Sequence, residues 1–135
     1  MDASRCVDAF ASFPGHAGEQ ADAEQAYVQA DIDNTNAVTY VRLPKKYWPE
    51  AWDGKFTDPV VILEKALYGH PDAGGLWERK AEAHLQSEGF VPIENWRSVY
   101  YHRQLNLLLM VYVDDFKMAG PKENIPIGWA KIKKG

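Results

Sequence analysis

Residues 107–120, LLLMVYVDDFKMAG, decide the fold. The first seven, residues 107–113, are almost wholly apolar and β-favouring; Asp114 and Asp115 follow, and a second apolar run ends at Gly120. A continuous apolar run of this length, closed by turn residues, is typical of a strand buried on both faces. Because two-residue loops favour Asp, the pattern predicts a tight β-hairpin with both aspartates at its tip.

Two adjacent carboxylates at the end of a sheet suggest a cation site. They repel each other and lose part of their hydration, which is costly unless a positive charge lies between them. Mg²⁺ or Mn²⁺ suits such a place, since hard cations take oxygen ligands and keep waters or substrate phosphates in the rest of the shell. A solvated hairpin turn is the simpler alternative, and the Asp-Asp pair alone favours it because Asp is a common turn residue.

Composition indicates one globular domain. The chain has 135 residues, of which 46% are hydrophobic and 13% aromatic, enough to build a core. The single cysteine, Cys6, excludes an internal disulfide framework and suits a reducing compartment. We therefore expect an intracellular protein of the cytoplasm or nucleus. No run of 18 apolar residues and no signal-peptide pattern is present, so we expect no membrane partner.

The charge balance argues against a free-standing nucleic-acid binder. The net charge is −4, whereas proteins that neutralise many phosphates carry a basic footprint.

The rest of the chain predicts an α+β fold. Alternating and β-rich patterns predict strands at residues 39–43, 60–67 and 98–103, the last able to pair antiparallel with residues 107–113. A long helix begins at a candidate N-cap, Asp72, and ends with Gly89 at the C′ position. Runs of strands with one long helix favour an antiparallel sheet with helices packed on one face.

Several segments resemble a known family. Residues 112–115, YVDD, resemble the YxDD box of reverse transcriptases, and the wider frame is similar to the copia-type (Ty1-like) retrotransposon polymerase. The other matching pieces come in the family's order: residues 20–27 (QADAEQAY, an aspartate five positions before an aromatic), 40–44 (YVRLP), 63–69 (LEKALYG), Trp77 and the pair Gly89-Phe90. No single piece is specific, but their order and spacing favour common descent.

The resemblance implies a partial polymerase palm over residues 20–121, between a leader of uninformative sequence at residues 1–19 and a truncated tail at residues 122–135. It implies two-metal nucleotidyl transfer with two Mg²⁺ or Mn²⁺ ions. Asp22 and Asp114 would bridge both ions, and Asp115 would be an accessory ligand. The alternative for Asp22 is an exposed strand-end or helix N-cap residue, and only its combination with Asp114 favours the role of a ligand.

Two further residues receive substrate roles from the resemblance. The peptide carbonyl of Ala23 would add a metal ligand, and the ring of Tyr27 would lie under the sugar of the incoming nucleotide and exclude ribonucleotides. A core aromatic is the alternative for Tyr27, and it is compatible with the first. Residues 70–75, HPDAGG, depart from the family's pattern: Asp72 replaces a glutamine expected to touch the nucleotide. A carboxylate beside a triphosphate is unfavourable, so that role is not transferred.

Three functions remain open on the sequence. The first is a reverse-transcriptase palm whose full-length parent binds an RNA or DNA template-primer and dNTP, beside the integrase and RNase H domains of a Pol polyprotein. No segment resembles the fingers or thumb, so the chain is expected to be a fragment and its isolated activity is left open. The second is a non-catalytic remnant, at most an interaction module. The third is an unrelated metal-dependent phosphohydrolase that uses the same aspartates.

Overall fold

The computed structural model describes residues 2–34 and 36–135, within which the chain forms four α-helices and seven β-strands. Met1, in the expected leader, and Thr35, in the expected palm region, lie outside the described residues. The elements are α1 (Asp2–Ala11), β1 (His16–Asp22), α2 (Ala26–Gln29), β2 (Tyr40–Arg42), β3 (Val60–Ile62), α3 (Ala73–Ser87), β4 (Val91–Pro92), β5 (Val99–His102), β6 (Leu107–Tyr112), β7 (Asp115–Pro121) and α4 (Ile125–Ile132).

Five strands form one antiparallel sheet in the order β1-β7-β6-β5-β4. The hairpin predicted between residues 98–103 and 107–113 is confirmed as β5 and β6, and β7 returns along β6. The first strand, β1, lies on the far side of β7, so chain ends that are distant in sequence become neighbours. Together with the helices, this confirms the α+β class with a palm-like antiparallel sheet.

The hydrophobic core lies between the sheet and helices α3 and α4. Its buried members alternate along β6 and β7, as one face of a strand must. They include Leu107, Leu109, Phe116 and Met118 from the sheet and Trp77, Leu85 and Ile125 from the helices, together with Phe90 after α3.

The opposite face of the sheet is partly covered by α1. A Cβ placed on Gly18 of β1 would lie 3.0 Å from the Cβ of Ala11, so the missing side chain lets this helix approach. Lys117 of β7 also reaches α1, with its ammonium 2.6 Å from the carboxylate of Asp8 and 2.9 Å from the hydroxyl of Ser4. Helix α1 and the first four residues of β1 therefore lie within residues 1–19, the leader for which we predicted no element.

Helix α3 agrees with its prediction, except at its N-cap. Asp72 occupies the N-cap position, but its side chain makes no capping hydrogen bond. At the other end, Gly89 has the positive φ of 95° expected at C′, and a Cβ there would lie 2.8 Å from the ring of His102. Phe90 then donates its N–H to the Leu85 carbonyl and inserts its side chain into the core.

Two strand predictions were partly wrong. The predicted strand 60–67 is only three residues long, Val60–Ile62, and pairs with the three residues of β2. Beyond it the chain leaves this partner, and an isolated bridge joins Lys65 to Asp31 instead. The predicted burial of β6 on both faces is also too strong. Leu107 and Leu109 are fully buried, whereas alternate residues of the strand are half-buried and Tyr112 at its end is 70% exposed.

The strands β2 and β3 form a separate two-stranded sheet. Among residues 2–34 and 36–135, no helix is both long and apolar enough to cross a membrane.

Candidate active site

The aspartate pair lies at the β6–β7 hairpin, one residue away from its predicted position. Tyr112 is paired with Asp115, so the two turn residues are Val113 and Asp114, and Asp115 is the first residue of β7. The prediction that both aspartates form the turn was therefore wrong. Local preference favours Asp over Val in a turn, so the observed register needs support from elsewhere in the fold.

The turn holds a valine in a conformation that suits glycine. Of the two turn residues, Val113 has a positive φ, 57°, and Asp114 does not. This is the pattern of a type II′ turn, whose first central position is normally Gly. A β-branched residue at positive φ is a genuine outlier, at a cost of about 1–3 kcal/mol that the surroundings must offset.

Both carbonyls of the turn residues are hydrogen-bonded from outside the hairpin. The indole N–H of Trp77 in α3 donates to the Val113 carbonyl at 2.6 Å. The peptide N–H of Ala23, directly after β1, donates to the Asp114 carbonyl at 2.7 Å. The turn is thus fixed by a helix on one side and by the end of a neighbouring strand on the other.

Sheet register brings Asp22 and Asp115 together. They are directly opposite each other on β1 and β7, so their side chains leave the sheet on the same side. Both residues are exposed, and Asp114 in the turn is half-buried. A hydrogen bond with Asp22 raises the pKa of Asp115; partial loss of hydration and the negative charges of Asp22 and Asp114 act in the same direction.

This pair suits a divalent cation by its chemistry. Two hard oxygen donors face each other, and the raised pKa of Asp115 is the sign of a negative charge that lacks compensation. In residues 2–34 and 36–135, however, no three His, Cys, Asp or Glu side chains are gathered as a group that could hold a metal ion. The acids that strand pairing places opposite each other are Asp22 and Asp115. The resemblance gave the bridging role to Asp22 and Asp114 and an accessory role to Asp115, and that assignment stays a prediction.

Tyr27 lies beside the turn and is half-buried. Its ring stacks on Tyr68 with centroids 4.4 Å apart. A cavity of about 330 Å³ opens next to it, lined among others by Trp77, Tyr112 and Val113. The residue therefore packs against the core and also faces open space at the hairpin, as both interpretations of its role require.

The functional residue that the sequence analysis undervalued is Trp77. On the sequence it counted only as one of the pieces that carry the resemblance, and in the structure it is a core residue of α3 with 6% exposure. Its side chain offered one clue, because a buried indole N–H needs a hydrogen-bond acceptor. The sequence could therefore predict that Trp77 donates to a backbone carbonyl, but not to which one.

Two comparisons bear on identity. The family model described as reverse transcriptase (RNA-dependent DNA polymerase) matches residues 1–131 of the chain. A search of curated protein sequences gave no significant match. The family match extends over α1 and α4, beyond the segments that carried the resemblance.

Proposed function

Since the chain belongs to the reverse transcriptase (RNA-dependent DNA polymerase) family, we propose that it forms the palm of a copia-type retrotransposon polymerase. The reaction would join the α-phosphorus of a dNTP to a primer 3′-hydroxyl with release of pyrophosphate. The observation that carries the proposal is the register that places Asp22 directly opposite Asp115, two acids that are 93 positions apart (115 − 22) and become neighbours only because β1 and β7 pair.

The aspartates would hold two divalent ions, Mg²⁺ or Mn²⁺. Asp22 and Asp115 offer oxygen donors on one side of the sheet, and Asp114 offers a third from the turn. When bound, the ions would favour ionisation of the primer hydroxyl and stabilise the charge that develops on the phosphates. The carbonyl of Ala23 would be a further ligand, beside the N–H that holds the Asp114 carbonyl.

Tyr27 would exclude ribonucleotides by occupying the space of a 2′-hydroxyl. Its support is positional: the ring is stacked on Tyr68 and borders the cavity next to the hairpin. Tyr27→Ala should raise ribonucleotide incorporation relative to deoxyribonucleotide, whereas Tyr68→Leu, which leaves the Tyr27 ring in place, should raise it less. Equal discrimination in wild type and Tyr27→Ala would contradict the role.

The remaining parts of the proposal concern partners. An RNA or DNA template-primer would be bound in the full-length parent, whose basic surfaces would compensate for the net charge of −4 here. We propose that the parent is a polyprotein that also contains integrase and RNase H domains. Its proposed location is the cytoplasm or the nucleus.

The test combines metal binding with primer extension. We expect Mn²⁺ binding by the wild type and template-directed extension on an RNA template when the palm is present in its parent polymerase. Asp114→Asn should reduce both, with extension falling by about 10³-fold or more, as for the loss of a group that stabilises transition-state charge. Glu94→Gln, a change to an exposed carboxylate in the β4–β5 connection, is the matched control and should change neither.

A non-catalytic remnant is the second candidate, favoured by the lack of a gathered three-ligand group in the described ranges 2–34 and 36–135. It predicts a cooperatively folded domain with no Mn²⁺ binding and no difference between wild type and Asp114→Asn. The unrelated phosphohydrolase is excluded by the family match.

A further inference from the structure

We infer that Trp77 is a positioning residue for the aspartate turn: its indole N–H selects the type II′ form and so fixes the direction of the Asp114 carboxylate. This inference deepens the proposed function and rests on it for its consequence in metal binding. The claim that Trp77 fixes the turn conformation depends only on the geometry around the hairpin and not on metal binding.

The peptide held by Trp77 is the middle one of the turn. Between Val113 and Asp114, this peptide is the unit whose rotation interconverts type II′ and type I′ turns, since the two differ in the sign of φ at the second central residue. The hairpin's own strand pairing, Tyr112 with Asp115, is the same in both forms. Strand pairing therefore does not select between them, whereas a hydrogen bond to the carbonyl of the middle peptide from outside the hairpin does.

Trp77 is suited to make that selection. It belongs to α3, 36 positions before Val113, and its side chain is packed in the core with 6% exposure. Because the ring is buried to this extent, it has little freedom to turn, and its N–H points at the Val113 carbonyl 2.6 Å away. If the peptide rotated, that carbonyl would lose the bond and the buried indole donor would be left without a partner, which costs about 1–3 kcal/mol.

Rotation of this peptide would re-aim the acid. The peptide plane sets ψ of Val113 and φ of Asp114, and φ of Asp114 sets where its Cα–Cβ bond points. The second anchor, from the Ala23 N–H to the Asp114 carbonyl, holds the next peptide but not this one. Asp22 and Asp115 are placed by strand pairing, so Asp114 is the member of the three whose orientation depends on Trp77.

The decisive variant removes the donor and keeps the shape. In the full chain, replacing Trp77 with benzothienylalanine substitutes sulfur for the indole N–H; Trp77→Phe is the genetically encoded counterpart. The control is Trp129→Phe in α4, which also removes an indole donor. The Trp129 N–H donates to the exposed carboxylate of Glu19 at 2.7 Å.

Two readouts are needed. The first is backbone amide NMR without metal, where we expect the signals of residues 112–115 to shift and broaden in the Trp77 variants and to stay unchanged in Trp129→Phe. The second is Mn²⁺ affinity, which we expect to fall about tenfold or more, the usual loss when a group that orients a metal ligand is removed.

The outcomes separate this inference from the proposed function. Unperturbed signals at residues 112–115 in the benzothienylalanine variant would overturn the inference, as would perturbed signals with Mn²⁺ affinity equal to that of the wild type. If the wild type itself binds no Mn²⁺, the proposed function fails, and the amide signals alone then decide whether Trp77 positions the turn. If Trp77→Phe does not fold, the benzothienylalanine variant still provides both readouts.

Discussion

The two loops at the ends of β6 each contain one residue with a positive φ, but that residue suits its conformation in one loop and not in the other. The β5–β6 loop, residues 103–106, contains Asn106 at φ 52°, and the β6–β7 turn contains Val113 at φ 57°. Asn tolerates this region, and its side chain accepts a hydrogen bond from the Tyr101 hydroxyl at 2.7 Å. Val does not tolerate it, and the turn is held by bonds from α3 and from the end of β1.

The difference distinguishes a loop that is locally consistent from one that the fold imposes. A sequence agrees with its structure at most positions, and the exceptions concentrate at functional sites, where the rest of the molecule offsets the strain. Here the exception coincides with two adjacent acids and a raised pKa at Asp115. The β5–β6 loop only connects two strands, whereas the β6–β7 turn also positions the two adjacent aspartates.

Placing valine at the positive-φ position of the β5–β6 loop should have the largest effect on the free energy of unfolding. Asn106→Val places a β-branched residue at positive φ and removes the acceptor of the Tyr101 hydroxyl, so we expect a loss of about 3 kcal/mol in the free energy of unfolding. Asn106→Gly keeps the backbone unstrained and should lose only about 1 kcal/mol. Urea denaturation measures both, and equal losses would mean that backbone strain does not distinguish the loops.

Glycine in the β6–β7 turn should stabilise the protein. Val113→Gly supplies the residue that suits the first central position of a type II′ turn, and we expect a gain of about 1 kcal/mol in the free energy of unfolding, reduced by the loss of some apolar contact from a side chain on a residue that is 41% exposed. Val91→Gly, at an exposed valine of β4, is the control and should destabilise the protein. A loss at both positions would show that the turn is relaxed and that the contrast between the loops is one of sequence only.

The smallest effect concerns pH. The folded-state pKa of Asp115 is raised, first by its hydrogen bond with Asp22, so the folded protein holds this proton more tightly than the unfolded chain does. The resulting stabilisation is fully present below the unfolded-state pKa, near 4, and is lost as pH rises through the folded-state value. In EDTA, the free energy of unfolding of wild type should therefore fall relative to Asp115→Asn as pH rises from about 3.5 to 7. Parallel curves would contradict the contact between the two acids.

The sequence predicted the hairpin, its acids and the helix that supports it, because each depends on a local pattern. These patterns are an apolar run, a pair of turn residues, and a helix bounded by Asp72 and Gly89. It did not predict the register of the turn, because Val113 contradicts turn preference and is held by an indole 36 positions away. It also did not predict the partner of Asp22. Pairing of β1 with β7 is a long-range choice, and Asp115 rather than Asp114 became its neighbour through a shift of one residue.

Helix α1 shows a different limit. Its residues form an ordinary amphipathic segment with Val7 as the buried member, and nothing in them specifies a target. Its position on the second face of the sheet depends on Gly18, in the strand that follows it, and on Lys117 of β7, which is distant in sequence.

The separate two-stranded sheet of β2 and β3 has a kinetic consequence. It shares no strand with the five-stranded sheet, and it leaves Tyr40, Val60 and Ile62 at least half exposed, at 59%, 50% and 53%. Segments with few buried contacts open without global unfolding, so the amides of this ribbon should exchange with deuterium orders of magnitude faster than those of β6 and β7. A protease given brief access would first cut between residues 40 and 62 and leave the strands of the aspartate hairpin intact.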